Sequence, residues 1–171
     1  VALVEGQRID FLLERIHRDE RPPARDLATD VDQALRESLQ FWRSWLSQST
    51  YRGRWREMVN RSALVLKLLT FRPTGAIVAA PTAALPELIG GPRNWDYRYT
   101  WIRDASFTLY ALLHIGFEAE ARQFMDWLHA RCNELEPDGS LQIMYGIDGR
   151  HDLPEVNLSH LEGYKGSKPV R

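Results

Sequence analysis

One short stretch, residues 94–104, holds most of the side chains in this sequence that could do chemistry. It reads Asn-Trp-Asp-Tyr-Arg-Tyr-Thr-Trp-Ile-Arg-Asp, and so places four aromatic rings beside two arginines and two aspartates. An aromatic face suits the apolar C–H face of a sugar ring, and paired carboxylate and guanidinium groups suit its vicinal hydroxyls. Charge-assisted hydrogen bonds of this kind contribute about 1.5–3 kcal/mol each. The stretch therefore indicates a sugar-binding site.

The same residues also allow a purely structural role. An Arg–Asp salt bridge could pin the loop over an aromatic core. Asp104, near the start of a helix, would in addition be stabilised by the helix dipole. Composition alone does not separate sugar binding from structural pinning.

Other kinds of site find little support. A net charge of −1 argues against nucleic-acid binding, so the arginines near residue 54 are expected to form a solvated helix start. The Asp-Gly pairs at 138 and 148 are turns rather than calcium loops. We expect no metal and no other cofactor, because four of the histidines lack the spacing of a metal site. These histidines are His114, His129, His151 and His160.

The overall composition is that of a soluble, folded protein. The 171 residues are 44% hydrophobic and 26% charged, which suffices for one domain and part of another. No apolar run approaches the roughly 20 residues needed to cross a bilayer, so no membrane partner is expected. The single cysteine, Cys132, favours a reducing compartment and hence a cytoplasmic location. Because the sequence begins with Val1 and ends at Arg171 without terminal features, we expect a segment of a longer protein.

The patterning predicts a mainly α-helical chain in which the residues of interest lie on loops. Residues 1–24 alternate polar and apolar side chains around Arg8–Phe11 and are interpreted as the last strands of a β domain. A connector helix should run from Val31 to Leu46 within residues 25–50, because its apolar residues recur at helical spacing. The remaining residues, 51–171, should form the domain that carries the loops.

Within residues 51–171, we expect three helices and one long loop. The first helix carries too many apolar residues for one stripe and should be buried on most sides. The second and third helices are joined almost without a loop and should form an antiparallel hairpin. Gly116 is expected to cap the C-terminus of the second helix. Residues 76–80 suit a short buried strand or an extended approach to a site, residues 81–99 an irregular functional loop, and residues 141–145 a short strand. The predicted helices are Trp55–Thr70, Ile102–Ile115 and Phe117–Cys132.

Two motifs resemble those of glycoside hydrolase family 15, which holds the glucoamylases and a group of bacterial and archaeal trehalases. They are Gly75–Pro81 and Asn94–Ala105, with the Tyr-Thr-Trp-x-Arg-Asp sequence at the centre of the second. Tyr51–Trp55 and Leu161–Arg171 resemble the bacterial branch of the family. The resemblance extends over residues 38–171.

The resemblance implies a fold. The family's catalytic domain is an α/α barrel of twelve helices in two rings, and in the bacterial branch it follows a β-sandwich. Residues 1–24 would then end the sandwich, residues 25–50 would be the connector, and residues 51–171 would form the first part of the barrel. A partial barrel cannot close on itself, so we expect exposed apolar faces on its three helices.

The resemblance also implies site residues and a substrate. Arg103 and Asp104 correspond to the pair that hydrogen-bonds the non-reducing-end glucose, and Tyr97 and Trp101 to aromatic residues that line its subsite. The implied activity is inverting, exo-acting hydrolysis of α-glucosides that carry a terminal α-linked glucose, as in a glucoamylase. Two alternatives stay open: an α,α-trehalase of the same family, and a non-catalytic sugar-binding or scaffold segment.

No catalytic residue is expected among these residues. Inverting hydrolysis needs two carboxyl groups about 6.5–9.5 Å apart, and in the family both are glutamates on later loops. Glu155 and Glu162 are present here, but neither belongs to the motif that carries the general acid.

The first prediction follows from this expectation. General acid–base groups contribute about 10²–10⁴-fold each, and positioning residues cannot replace them. The 171-residue chain alone should release no glucose above background from maltose, soluble starch or trehalose in a coupled glucose assay. Clear turnover would instead make Glu155 or Glu162 the first catalytic suspects.

Overall fold

The computed structural model describes residues 2–13, 27–133, 135 and 138–171. The chain forms two compact units, residues 1–47 and residues 48–171. The elements in chain order are α1 (Leu27–Leu46), α2 (Arg56–Leu68), β1 (Thr100–Trp101), α3 (Ile102–His114), α4 (Glu118–Cys132), β2 (Met144–Tyr145) and a 3₁₀ turn (Tyr164–Gly166). The described part of the chain is thus mainly helical, as predicted.

The first unit contains α1, which confirms the helix predicted from Val31 and begins four residues earlier than expected; its role as a connector stays a prediction. Ahead of it, the Gln7 amide donates to the Val4 carbonyl and closes a turn. Residues 2–13 pair with no strand in the described part of the chain, so the alternation at Arg8–Phe11 does not become a ladder. Residues 14–26, which include the rest of the predicted strands and the start of the predicted connector segment, lie outside the described residues. The β-sandwich interpretation and the domain boundaries stay predictions.

The second unit is built on the helical hairpin of α3 and α4. The two helices pack against each other across the short connection at residues 115–117, which confirms the predicted hairpin. Gly116 takes a φ of +94°, and its amide donates to the Leu113 carbonyl. A Cβ at this position would lie 2.8 Å from Thr50 Cγ2, so both the backbone conformation and the close approach require glycine.

The core of the second unit lies between the α3–α4 hairpin and residues 76–77. Eight buried residues form it: Ala76, Ile77, Ala105, Leu109, Ala121, Phe124, Trp127 and Tyr145. Residues 76–80 do not form a strand of their own: Ile77 makes an isolated antiparallel bridge with Thr70, and the Val78 amide donates to the Leu69 carbonyl. The small side chains let backbones approach closely: a Cβ on Gly75 would lie 2.6 Å from the Gln123 carbonyl oxygen of α4.

One ion pair links helix α2 to helix α4. The Lys67 ammonium lies 2.7 Å from a carboxylate oxygen of the buried Glu120 on α4. Breaking such a pair leaves an uncompensated buried charge, so the pair fixes α2 against α4.

The prediction that this helix is buried on most sides is wrong. Only Ala63 of α2 is fully buried, and Leu68 is 68% exposed. No surface within the described residues covers the outer apolar face of the helix.

Exposed apolar side chains occur on all three helices of the second unit, as expected for a partial barrel. The most exposed on α3 is Phe107, with 71% of its surface exposed, and Met125 is exposed on α4. None of the described helices is long and apolar enough to span a bilayer.

Candidate functional site

The site loop is a distorted antiparallel hairpin, here called the aromatic hairpin (residues 79–99). The Ala79 amide donates to the Tyr99 carbonyl, the Ala80 amide to the Tyr97 carbonyl, and the Tyr97 amide to the Thr82 carbonyl, at 2.9–3.0 Å. An isolated bridge between residues 83 and 96 continues the pairing. The sequence predicted an irregular loop here. In the structure these residues form no strand of the β1–β2 sheet, as predicted. The two arms of the hairpin are nevertheless paired by backbone hydrogen bonds, which fix the backbone of Tyr97.

A buried asparagine anchors the second arm of this hairpin. Asn94 has no exposed surface, and its Nδ2 donates to the carbonyl oxygens of Ser167 at 2.8 Å and Gly91 at 3.3 Å. The backbone carbonyl of Asn94 accepts from the backbone amide of Arg171 at 2.9 Å. The Gly90 amide in turn donates to the hydroxyl of the buried Ser167. Residues 163–171 and the aromatic hairpin are therefore joined through Asn94 and Ser167.

Tyr97 and Trp101 lie side by side. Their ring centroids are 6.0 Å apart with planes inclined by 33°, and both side chains are half-buried. The Tyr97 hydroxyl donates to Glu87 Oε1 at 2.9 Å. The structure thus brings together two of the four predicted site residues as one aromatic surface.

Arg103 and Asp104 occupy the first turn of α3. Trp101 has an extended backbone and caps the helix, so the chain passes directly from β1 into α3. Arg103 Nε and Nη2 both donate to Asp104 Oδ2, at 3.2 and 2.9 Å, and the two side chains are 73% and 34% exposed. No hydrogen bond from the described residues reaches Asp104 Oδ1, which leaves that oxygen as an acceptor for a ligand.

This geometry weakens the structural alternative. The Arg103–Asp104 bridge joins neighbours in sequence and ties no other element to the loop. Exposed ion pairs of this kind contribute at most about 1 kcal/mol to stability. The aromatic hairpin is pinned by Asn94 and by backbone pairing instead.

A second ion pair lies within the hairpin. Arg98 donates to both carboxylate oxygens of Asp96, at 2.8 and 2.9 Å, and these hydrogen bonds hold the pKa of Asp96 below its usual value. The acid therefore stays ionised near neutral pH, together with its arginine.

A cleft of about 300 Å³ lies beside the aromatic surface. Of the predicted site residues only Trp101 lines it, while Tyr97, Arg103 and Asp104 do not. Its other walls include Trp95, Tyr99, and the ion pair between Glu155 and Arg171 at 3.2 Å. The Glu155 carboxylate is therefore paired with the Arg171 guanidinium. Glu162 is exposed and forms no ion pair within the described residues. Among those residues, no three histidine, cysteine, aspartate or glutamate side chains are grouped to hold a metal ion.

Sequence reasoning missed two residues that shape the site. Asn94 stood at the edge of the aromatic motif without an assigned role, and Glu87 was not considered.

Comparison with known proteins identifies the family. Residues 53–171 match the sequence profile of the glycosyl hydrolases family 15. The chain belongs to glycosyl hydrolase family 15. No solved structure matches the chain significantly.

Curated relatives at high identity carry the name trehalase. The Thermoplasma acidophilum trehalase is 50% identical over 137 residues, which cover 80% of this chain and 23% of that protein. The Mycolicibacterium smegmatis trehalase is 42% identical over 154 residues, covering 87% and 23%. The Mycobacterium tuberculosis trehalase is 44% identical over 140 residues, covering 79% and 20%. The chain thus spans about a fifth to a quarter of the length of these relatives.

The second prediction tests the anchor. Asn94→Asp keeps the side-chain size but places an oxygen, in place of the Nδ2 donor, against two carbonyl oxygens. We expect the free energy of unfolding of the 171-residue chain to fall by about 3 kcal/mol, because the new buried carboxylate faces two carbonyl oxygens that have lost their donor. Urea unfolding measures this. The control is Asn157→Asp at an exposed position, which should change stability by less than about 0.5 kcal/mol; equal effects of the two substitutions would contradict the anchoring role.

Proposed function

We propose that the complete protein carrying this segment hydrolyses α,α-trehalose with inversion at the attacked carbon. The observation that carries the proposal is the 42–50% identity to proteins named trehalase from both archaea and bacteria. None of the relatives reported above carries the name glucoamylase, the activity that the sequence motifs implied. Trehalose also presents the terminal α-linked glucose that the motif residues are expected to bind.

The arrangement of the site supports a division of roles. Trp101 and Tyr97 offer a tilted pair of rings to the C–H face of the glucose. Arg103 and Asp104 lie at the helix start that follows, with Asp104 Oδ1 and the outer guanidinium nitrogens directed to sugar hydroxyls in this proposal. The general acid and base are assigned to glutamates outside these 171 residues. A cytoplasmic location stays a prediction.

The third prediction concerns the substrate. The complete protein should hydrolyse trehalose with a kcat/KM at least about tenfold above that for maltose, because a site that pairs both rings of one disaccharide leaves polar groups unpaired with the other. Comparable rates on maltose and soluble starch would favour a glucoamylase. Sugar binding without hydrolysis of any of the three would favour the non-catalytic alternative.

Product stereochemistry checks the mechanism in the same assay. Inversion converts the attacked glucose to the β anomer, while the departing glucose keeps its α configuration. Early proton NMR spectra of the trehalose reaction should therefore show equal amounts of the two anomers. A purely α product would contradict inversion.

The fourth prediction concerns Asp104. Asp104→Asn in the complete protein keeps the shape but removes the charge that accepts sugar hydroxyls. We expect the transition-state stabilisation measured by kcat/KM to fall by roughly 2–4 kcal/mol, because the hydrogen bonds of Asp104 to the sugar tighten as the ring approaches its oxocarbenium-like transition state. The melting temperature should change little, since the exposed Arg103–Asp104 bridge adds little stability. A variant that melts early yet keeps the wild-type rate would make Asp104 a structural residue.

A further inference from the structure

A carboxylate outside the sugar-binding motif engages the hydroxyl of a predicted site residue. Glu87 Oε1 accepts from the Tyr97 hydroxyl at 2.9 Å, and Glu87 Oε2 accepts from Arg93 Nη1 at 3.2 Å. We propose that Glu87 is a positioning residue that orients the Tyr97 hydroxyl toward the sugar. The inference rests on the proposed function of the same site.

The backbone holds the three groups in place. The Glu87 amide donates to the Arg93 carbonyl at 3.2 Å and closes the tip of the aromatic hairpin. Arg93 precedes the buried anchor Asn94, and Tyr97 is held by its backbone bond to Thr82. The Glu87 carboxylate is thus delivered to the phenol by the fold of the hairpin.

The chemical consequence lies in the direction of the hydroxyl proton. A phenol has one O–H donor, while its oxygen can also accept. A carboxylate only accepts, so the contact commits the Tyr97 proton to Glu87. Toward a substrate, Tyr97 then offers only acceptor capacity. The sugar hydroxyl that it meets must be a donor, and one orientation of that hydroxyl is selected.

The electrostatics agree with this assignment. The hydrogen bond from Tyr97, followed by that from Arg93, lowers the pKa of Glu87. Partial burial, followed by the hydrogen bond to Glu87, raises the pKa of Tyr97. Both shifts keep an ionised acceptor facing a protonated phenol across the neutral range.

A stability role alone is the competing explanation, and it predicts little effect of any kind. Glu87 and Arg93 are 47% and 67% exposed, and exposed pairs contribute at most about 1 kcal/mol. Substitutions at Glu87 should therefore leave the fold intact, which allows rates to be compared directly.

The kinetic test is a double-mutant cycle in the complete protein with trehalose as substrate. E87A should lower kcat/KM roughly tenfold in the wild-type background and less than twofold in the Y97F background, because the Tyr97 hydroxyl is then absent. E87Q should recover most of the loss, because its amide oxygen can accept from Tyr97. The control is E57A, which removes an exposed carboxylate paired with Arg61 on α2 and should leave kcat/KM unchanged. Equal losses from E87A in both backgrounds would overturn the inference and leave the proposed function standing.

A spectroscopic arm needs no activity. With ¹³C-labelled tyrosine in the complete protein, the Tyr97 resonance is the one missing from Y97F. Its pKa should fall in E87A relative to the wild type, whereas E57A should leave it unchanged. An unchanged Tyr97 pKa in E87A overturns the inference even if trehalose is hydrolysed. Failure of the wild-type protein to act on any α-glucoside would instead overturn the proposed function and the role in sugar orientation with it.

Discussion

The arrangement of the site depends on the hydrogen bonds of one buried carboxamide. Asn94 ties the tip of the aromatic hairpin to residues 163–171 through the Ser167 carbonyl, and its backbone accepts from Arg171. Loop backbone that is buried without partners costs about 1–3 kcal/mol per group. By satisfying these groups, Asn94 lets an irregular segment rich in proline and glycine adopt one conformation. Tyr97, three residues further on, is held by the backbone pairing of the hairpin arms, through its bond to Thr82.

The helical part of the second unit supplies a second fixed point. Trp101 is extended and Ile102 is helical, so the direction of α3 determines where Arg103 and Asp104 emerge. The pairing of β1 with β2 holds Thr100 and Trp101 from the other side. Trp101, Arg103 and Asp104 therefore belong to one frame, because they lie within one turn of the junction between β1 and α3.

Local patterning predicted the elements better than their surroundings. The helix bounds at Ile102 and Cys132 and the Gly116 cap follow from spacing and glycine chemistry, which are local properties. The exposure of α2 could not be predicted from the sequence, because an apolar helix face indicates that a partner surface is needed but not where that surface lies. The contact of Asn94 with Ser167 joins residues 73 positions apart, and no periodicity encodes it. Glu87 was missed for the same reason: its partner Tyr97 is reached only through the pairing of the hairpin arms.

The anchoring residues and the predicted sugar-binding residues of this segment are different. Asn94 and Ser167 are fully buried and joined across loops, whereas among the described residues Arg103 and Asp104 form an ion pair only with each other, at the surface. A pair that served to hold the loop would be buried and would link distant elements, as Lys67 and Glu120 do between α2 and α4. Arg103 and Asp104 fulfil neither condition, and an exposed bridge gains too little free energy to explain their placement at a helix start beside two rings. The proposed binding of a polar ring with hydroxyls would account for this placement, because such a ligand can use a stacking surface, guanidinium donors and a carboxylate oxygen.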